Sequence, residues 1–216
     1  MVHLSVAQEL LDSGFKVSDL PQFYLGCISP DAIHMRKNSD KMQKGETHLI
    51  PEGKKWKDVD EKDYTSFMLN FIRANENRTK ADFLRGYGIH ILTDMYWVKQ
   101  VYEKHVENYQ NDPSPVHDLR PAYYNDTDIL DQMLYNEKSW RKDVWAHLAA
   151  ADCFGFLDLL TAEEIRQWKE RTLGWFDEKD FQNNTIRYIT KSDINAFITA
   201  CSETLRNDLA ELNRAS

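Results

Sequence analysis

Apolar residues recur at helical spacing along most of the chain. Val6, Ala7, Leu10 and Leu11 make one stripe, and Gly14 follows as a stop. Phe67, Met68, Phe71 and Ile72 give residues 60–77 an apolar side. The longest pattern covers residues 79–109 and is closed by the sequence NDPSP. Its inward stripe is Phe83, Tyr87, Ile91, Met95 and Val98, with Leu84 and Val101 beside it. Residues 126–150 predict a further helix. Residues 161–175 predict another, opened by a capping box at Thr161, and 191–213 a last amphipathic one. Only the sequence TIRYIT, residues 185–190, reads as a strand. No repeat or low-complexity segment interrupts this series, so the pattern predicts an all-α fold in a single domain spanning residues 1–216. Residues 15–58 are irregular, with three prolines and three glycines. So long a stretch inside a compact domain is functional or disordered. Its apolar centre, FYLGCISPDAIHMR, argues for function.

Composition narrows the partners. The net charge is −8 and no dense Lys/Arg block occurs, which argues against nucleic acid. Six Trp, ten Tyr and ten Phe supply a core, and 8 Gly with 6 Pro argue against a turn-rich all-β fold. Cys27, Cys153 and Cys201 are scattered and odd in number, with no CxxC pair. No disulfide framework is expected, and a reducing compartment fits. The N-terminal stretch carries Glu9 and Asp12 within its apolar pattern and lacks a basic run, unlike a signal peptide. No apolar run approaches the roughly 18 residues of a membrane span. The expectation is a cytoplasmic protein without stable membrane insertion.

Candidate chemistry begins with the sequence GYGIHILTDMYW. It places His90 and Asp94 four residues apart, one above the other, within the inward stripe of the longest helix. A buried carboxylate without a partner costs several kcal/mol. Three arrangements relieve that cost: the two pair with each other, they reach water at the helix edge, or both hold one cation. His3 is in phase with the stripe of the first helix, although an ordinary N-terminal histidine fits as well. Asp31 follows Pro30, which fixes the backbone before it. It could equally cap a short helix over 32–36. His34 could share a face with Asp31, and His48 sits in a polar loop. Four of the seven histidines thus fall in the first 94 residues. Imidazole and carboxylate are the ligand types of a Zn²⁺ site, or of an Fe or Mn site.

The segments HLSVAQELL, FYLGCISPDAIHMR, K…THL and GYGIHILTDMYW together resemble the successive motifs of the zinc-dependent phospholipase C family. They are closer to its intracellular bacterial branch of metal-dependent hydrolases, over about residues 3–97. The resemblance implies an all-α phosphoesterase with His3, Asp31, His48, His90 and Asp94 on a metal cluster. It adds His34 as a ligand or supporting group. The secreted members' further histidine and H-x3-E pair have no counterpart: Gln100 stands six residues beyond Asp94, and Ala151 four beyond His147. One or two ions are therefore expected rather than three. Asp31 is the expected group to orient or deprotonate the attacking water. Arg36, Lys41 and Lys44 are the nearest cations for a phosphate. His105 is expected to favour the end of its helix and His147 to lie in or beside the core. Trp97 and Tyr96 are expected to pack in the core.

These residues predict a metal-dependent hydrolase acting on a small or lipid-like phosphoester. Two alternatives stand beside it. One is a nucleotide phosphohydrolase of the HD type, from His117 and Asp118. The other is a non-enzymatic metal-binding or interaction protein.

Overall fold

The computed structural model describes residues 1–178, 185–210 and 212. Ten α-helices occupy them: α1 Val2–Asp12, α2 Leu20–Gly26, α3 Lys41–Thr47, α4 Glu61–Asn75, α5 Ala81–Trp97, α6 Glu103–Gln110, α7 Leu119–Glu137, α8 Arg141–Ala150, α9 Ala162–Glu178 and α10 Lys191–Asp208. There is no strand among the described residues, only one isolated bridge between Phe156 and Leu160. The chain forms one all-α domain, and none of its described helices is long and apolar enough to cross a membrane.

The longest predicted helix is present as α5, a π-helical segment Val98–Tyr102, and α6, in unbroken succession. Its burial is wider than a stripe. Between Asp82 and Tyr96 only Arg85 and Asp94 keep partial exposure. The helix is the axis of the molecule, covered by α1, α2, α4 and α10. Val98, expected inside, is half-buried.

Two glycines decide how close α2 and α5 come. A Cβ on Gly26 would overlap the backbone carbonyl of Phe83, and one on Gly86 would overlap that of Phe23. The two helices cross backbone against backbone, which no other residue type permits. At α1, Gly14 takes φ +92, and the Phe15 amide returns to the Leu10 carbonyl at 3.0 Å. The helix stops where the sequence predicts.

Three expectations change. Residues 15–58 are not one long loop: they contain α2, a 3₁₀ segment Ser29–Met35, and α3. Helix α3 opens on an Asp40–Gln43 capping box. The single helix expected over 126–150 is two. The chain turns between Glu137 and Arg141, and Trp145 of α8 meets Tyr135 of α7 at 5.0 Å between ring centres. Arg141 holds this turn by donating to the Tyr135 carbonyl at 2.8 Å. Residues 185–190 are irregular rather than a strand. Their amides are consumed by the buried Asp126 carboxylate, which accepts from Arg187 (3.0 Å), Tyr188 (2.6 Å) and Ile189 (3.0 Å). A side chain on α7 satisfies the donors a sheet would have needed. By contrast, α9 begins as expected: the Thr161 hydroxyl accepts from the Glu164 amide, and the Glu164 carboxylate accepts from the Thr161 amide.

Candidate metal centre

Four separate segments deliver the side chains. His3 stands in the first turn of α1, and Asp31 in the 3₁₀ segment directly behind Pro30. His48 caps the C-terminus of α3, while His90 and Asp94 lie one turn apart on α5. The end of α3 is anchored from below. Tyr87 donates to the Thr47 carbonyl, and Tyr64 donates to the carbonyls of His48 (2.9 Å) and Leu49 (3.1 Å).

Each buried imidazole is locked by its far nitrogen. His90 Nδ1 lies 2.7 Å from the Cys27 carbonyl, at the end of α2 that the glycine crossing brings in. His48 Nδ1 lies 2.9 Å from the Lys44 carbonyl, one turn back along α3. A carbonyl can only accept, so both rings carry a proton on Nδ1 and turn Nε2 toward the carboxylates. Both Nε2 atoms are buried and have no hydrogen-bond partner. His48 Nε2 faces Asp31 Oδ1 at 3.5 Å and Asp94 Oδ2 at 3.4 Å. His90 Nε2 faces Asp31 Oδ2 and Asp94 Oδ2, each at 3.7 Å.

The residues fit a divalent cation. Four ligands at about 2.0–2.1 Å around a tetrahedral ion lie roughly 3.3 Å from one another. The four distances from the His48 and His90 Nε2 atoms to the Asp31 and Asp94 oxygens, 3.4–3.7 Å, are slightly wider. Two overlapping groups, each within 4.8 Å, share His90: His3, His90 and Asp94, and Asp31, His48 and His90. His3 is stacked on His90 with ring centres 3.9 Å apart, and its Nε2 lies 2.9 Å from Asp94 Oδ1.

The charge states suit the same purpose. Burial, helped by the neighbouring His3, pushes the His90 imidazole down to about 3, so it is neutral. Burial works to raise the Asp94 carboxyl. The hydrogen bond from His3 and the nearby His90 outweigh it and hold the group at about 2. Asp31 is likewise driven up by burial, but contacts from His34, His48 and Lys44 keep it well below the usual carboxylate range. A neutral His90 imidazole beside ionised carboxylates belongs to the donor set a divalent ion requires.

The structure brings His3, Asp31, His48, His90 and Asp94 together and sets His34 at their edge. His34 Nε2 is 3.5 Å from Asp31 Oδ1 and 3.3 Å from Lys44 Nζ. Lys44 Nζ reaches Asp31 Oδ1 at 3.2 Å. Burial opposes its charge, yet the Asp31 and Asp94 carboxylates hold its pKa above the ordinary value. Of the three cations expected to face a phosphate, Lys44 alone lines the cavity at this centre. Arg36 is committed elsewhere, to the Glu164 carboxylate at 2.6 Å and the Leu159 carbonyl at 2.9 Å, and Lys41 is exposed on α3. Asp31 is not on a loose loop. The 3₁₀ segment holds its backbone, and both its oxygens face histidines.

The remaining histidines are elsewhere. His105 does not sit at an open helix end: it is fully buried, with Tyr123 and Tyr188 edge-on at 5.3 and 5.5 Å between ring centres. His147 is a boundary residue stacked on Tyr24. His117 and Asp118 lie exposed just ahead of α7, outside either ligand group. Tyr96 packs in the core, while Trp97 divides its surface between Phe197 and the cavity.

The centre opens onto a cavity of about 690 Å³, a size suited to a small molecule. Its distant walls escape the sequence reading. Trp168, Arg171, Thr172 and Trp175 of α9 line it together with Arg120 and Tyr124 of α7. The spacing 168, 171, 172, 175 is one helical face and was the available signal. Comparison of the chain with family models, with curated proteins and with solved structures finds no match.

Proposed function

We propose that the protein is a metal-dependent phosphoric ester hydrolase of the zinc-dependent phospholipase C type, with Zn²⁺ as the expected ion and one or two ions bound. The observation that carries this reading is the pair of buried, unpartnered Nε2 atoms of His48 and His90. Each is fixed by a carbonyl at Nδ1, and both face the Asp31 and Asp94 carboxylates beside a cavity. The motif resemblance supplies the reaction class. Asp31, His48 and His90 would hold the first ion. His3 would share in a second position with His90 and Asp94.

A bound divalent cation supplies acidification of water toward a pKa of about 7 and neutralisation of charge on a phosphoryl oxygen. The chain supplies the rest. Asp31, ionised and facing the cavity, orients the attacking water. Lys44 places a fixed positive charge where a phosphoryl oxygen enters. Cys27 and Lys44 keep the two imidazoles in the ligating tautomer through their carbonyls.

The test couples metal content to turnover. His90→Ala should lose bound metal by elemental analysis. The metal-loaded wild type should hydrolyse bis(p-nitrophenyl) phosphate, and a chelator should stop it. Asp31→Asn, assayed at matched metal content, should lower kcat by about a hundredfold with little change in KM. Metal content unaffected by His90→Ala, or no hydrolysis of any phosphoester by the loaded protein, would overturn the reading.

A further inference from the structure

Away from the metal ligands, the cavity carries two arginines laid on aromatic rings. Arg171 lies between Trp168 and Trp175 of its own helix, its guanidinium carbon 5.3 and 5.5 Å from the two ring centres. Arg120, in the first turn of α7, lies 5.5 Å from the centre of the Tyr124 ring. Aromatic faces hold a guanidinium by its own faces and leave the in-plane N–H groups for a ligand. Neither arginine has an ion-pair partner among the described residues, although the chain is acidic overall. The wall is continuous with the metal end: the Trp168 ring lies 5.7 Å from that of His34, which touches Asp31.

From this we infer that the substrate carries a second anionic group, a phosphate or a carboxylate, apart from the ester that is cleaved, and that Arg171 and Arg120 bind it. The inference rests on the phosphoesterase reading for the ester end. It assigns the other end to an oxyanion, because a guanidinium fork matches a phosphate or carboxylate edge with two parallel hydrogen bonds. A cationic headgroup would meet two positive charges at that wall; of the further acidic residues lining the cavity, Asp131 is paired with the Met1 amine at 3.0 Å and Asp128 has an interaction of its own. The class is therefore a water-soluble, multiply charged phosphoester rather than a zwitterionic lipid.

The experiment uses the full chain loaded with Zn²⁺ and a matched set of aryl phosphoesters. The reacting ester is constant, and the far ring position carries a phosphate, a carboxylate, a methyl ester or a trimethylammonium group. The expected result is a kcat/KM at least about tenfold higher for the anionic members than for the methyl ester, with the trimethylammonium member lowest. Comparing phosphate with carboxylate identifies which oxyanion is preferred. Arg171→Gln and Arg120→Gln should each shrink the anionic-to-neutral ratio, and the double variant should bring it close to one. Arg166→Gln, on an exposed part of α9 where Arg166 pairs with Glu163 and Glu170, should leave the ratio as in wild type. In parallel, tryptophan fluorescence follows binding of the aryl bisphosphate without turnover. Arg-dependent binding with no hydrolysis of any member would leave the anion site standing and remove the phosphoesterase reading. Hydrolysis with no preference for charge, or a preference that survives the double variant, would overturn the inference and leave the phosphoesterase reading intact.

Discussion

At the scale of single residues, the centre works by fixing each buried imidazole through its far nitrogen. His90 spends its proton on the Cys27 carbonyl and keeps a lone pair on a buried nitrogen without a hydrogen-bond partner. That arrangement has a cost the metal-free chain should reveal. Unfolded, the imidazole titrates near 6.5, and in the fold at about 3. Between those values the unfolded chain binds the additional proton, so the stability of the metal-free protein should fall as pH drops through that window. Asp94 contributes in a different range. Its depressed pKa adds stability above the ordinary carboxylate value, and that stability is lost only as pH falls toward about 2. Urea unfolding of the metal-free chain at pH 7 and at pH 4.5 spans the histidine window, in which His105, also pushed down by burial, contributes beside His90. The wild type should lose stability between them, and His90→Gln should reduce the dependence. An unchanged slope in the variant would mean that His90 is not a titrating group.

At the scale of elements, the crossing of α2 and α5 sets the register of the site. Gly26 and Gly86 remove the two Cβ atoms that would force the backbones apart, and the resulting contact puts the Cys27 carbonyl on His90. Gly86→Ala should therefore act twice. Overpacking should cost about 1–3 kcal/mol of stability, against the few tenths expected from alanine's better helix propensity in the opposite direction. Displacement of α2 should also free His90 Nδ1 and weaken metal binding. Denaturant midpoints and metal titration read the two effects separately. A variant as stable as wild type, with full metal affinity, would show that the helices can part without consequence. Gly14 and Gly53 are different: they serve turns at positive φ and meet no neighbouring atom.

For the whole molecule, the candidate ligands join parts of the chain that are far apart in sequence. His3 comes from α1, Asp31 from the 3₁₀ segment, His48 from the end of α3, and His90 with Asp94 from the central helix. An ion held there would tie the N-terminal half to the axis of the fold. Since it binds the folded chain and not the unfolded one, excess Zn²⁺ should raise stability by about 4 kcal/mol at a thousandfold over Kd. Chelation should lower the melting temperature, and hydrogen exchange should rise first in α1 and α3. Equal melting curves with and without chelator would leave the donors without a structural ion.

The sequence determined the all-α class, the central helix, the stop at Gly14 and the start at Thr161. Each of these is set by local periodicity or by a cap that spans a few residues. It also marked the ligand residue types, because histidine and aspartate in an apolar stripe need a partner wherever the helix packs. It could not show that 185–190 is not a strand. That was decided by Asp126, about sixty residues away, whose carboxylate takes the amides a neighbouring strand would have paired. It could not divide 126–150 either, since no glycine or proline marks the turn. Packing of Tyr135 against Trp145 and Phe176 does so instead. Only the tertiary structure separated Lys44 from Arg36, placing one beside Asp31 and tying the other to Glu164. It alone put Arg171 and Arg120, from two distant helices, on one cavity. Local patterns record which side of an element is buried. Which distant side chain lies across from it depends on how the helices cross, and here that crossing turns on two glycines.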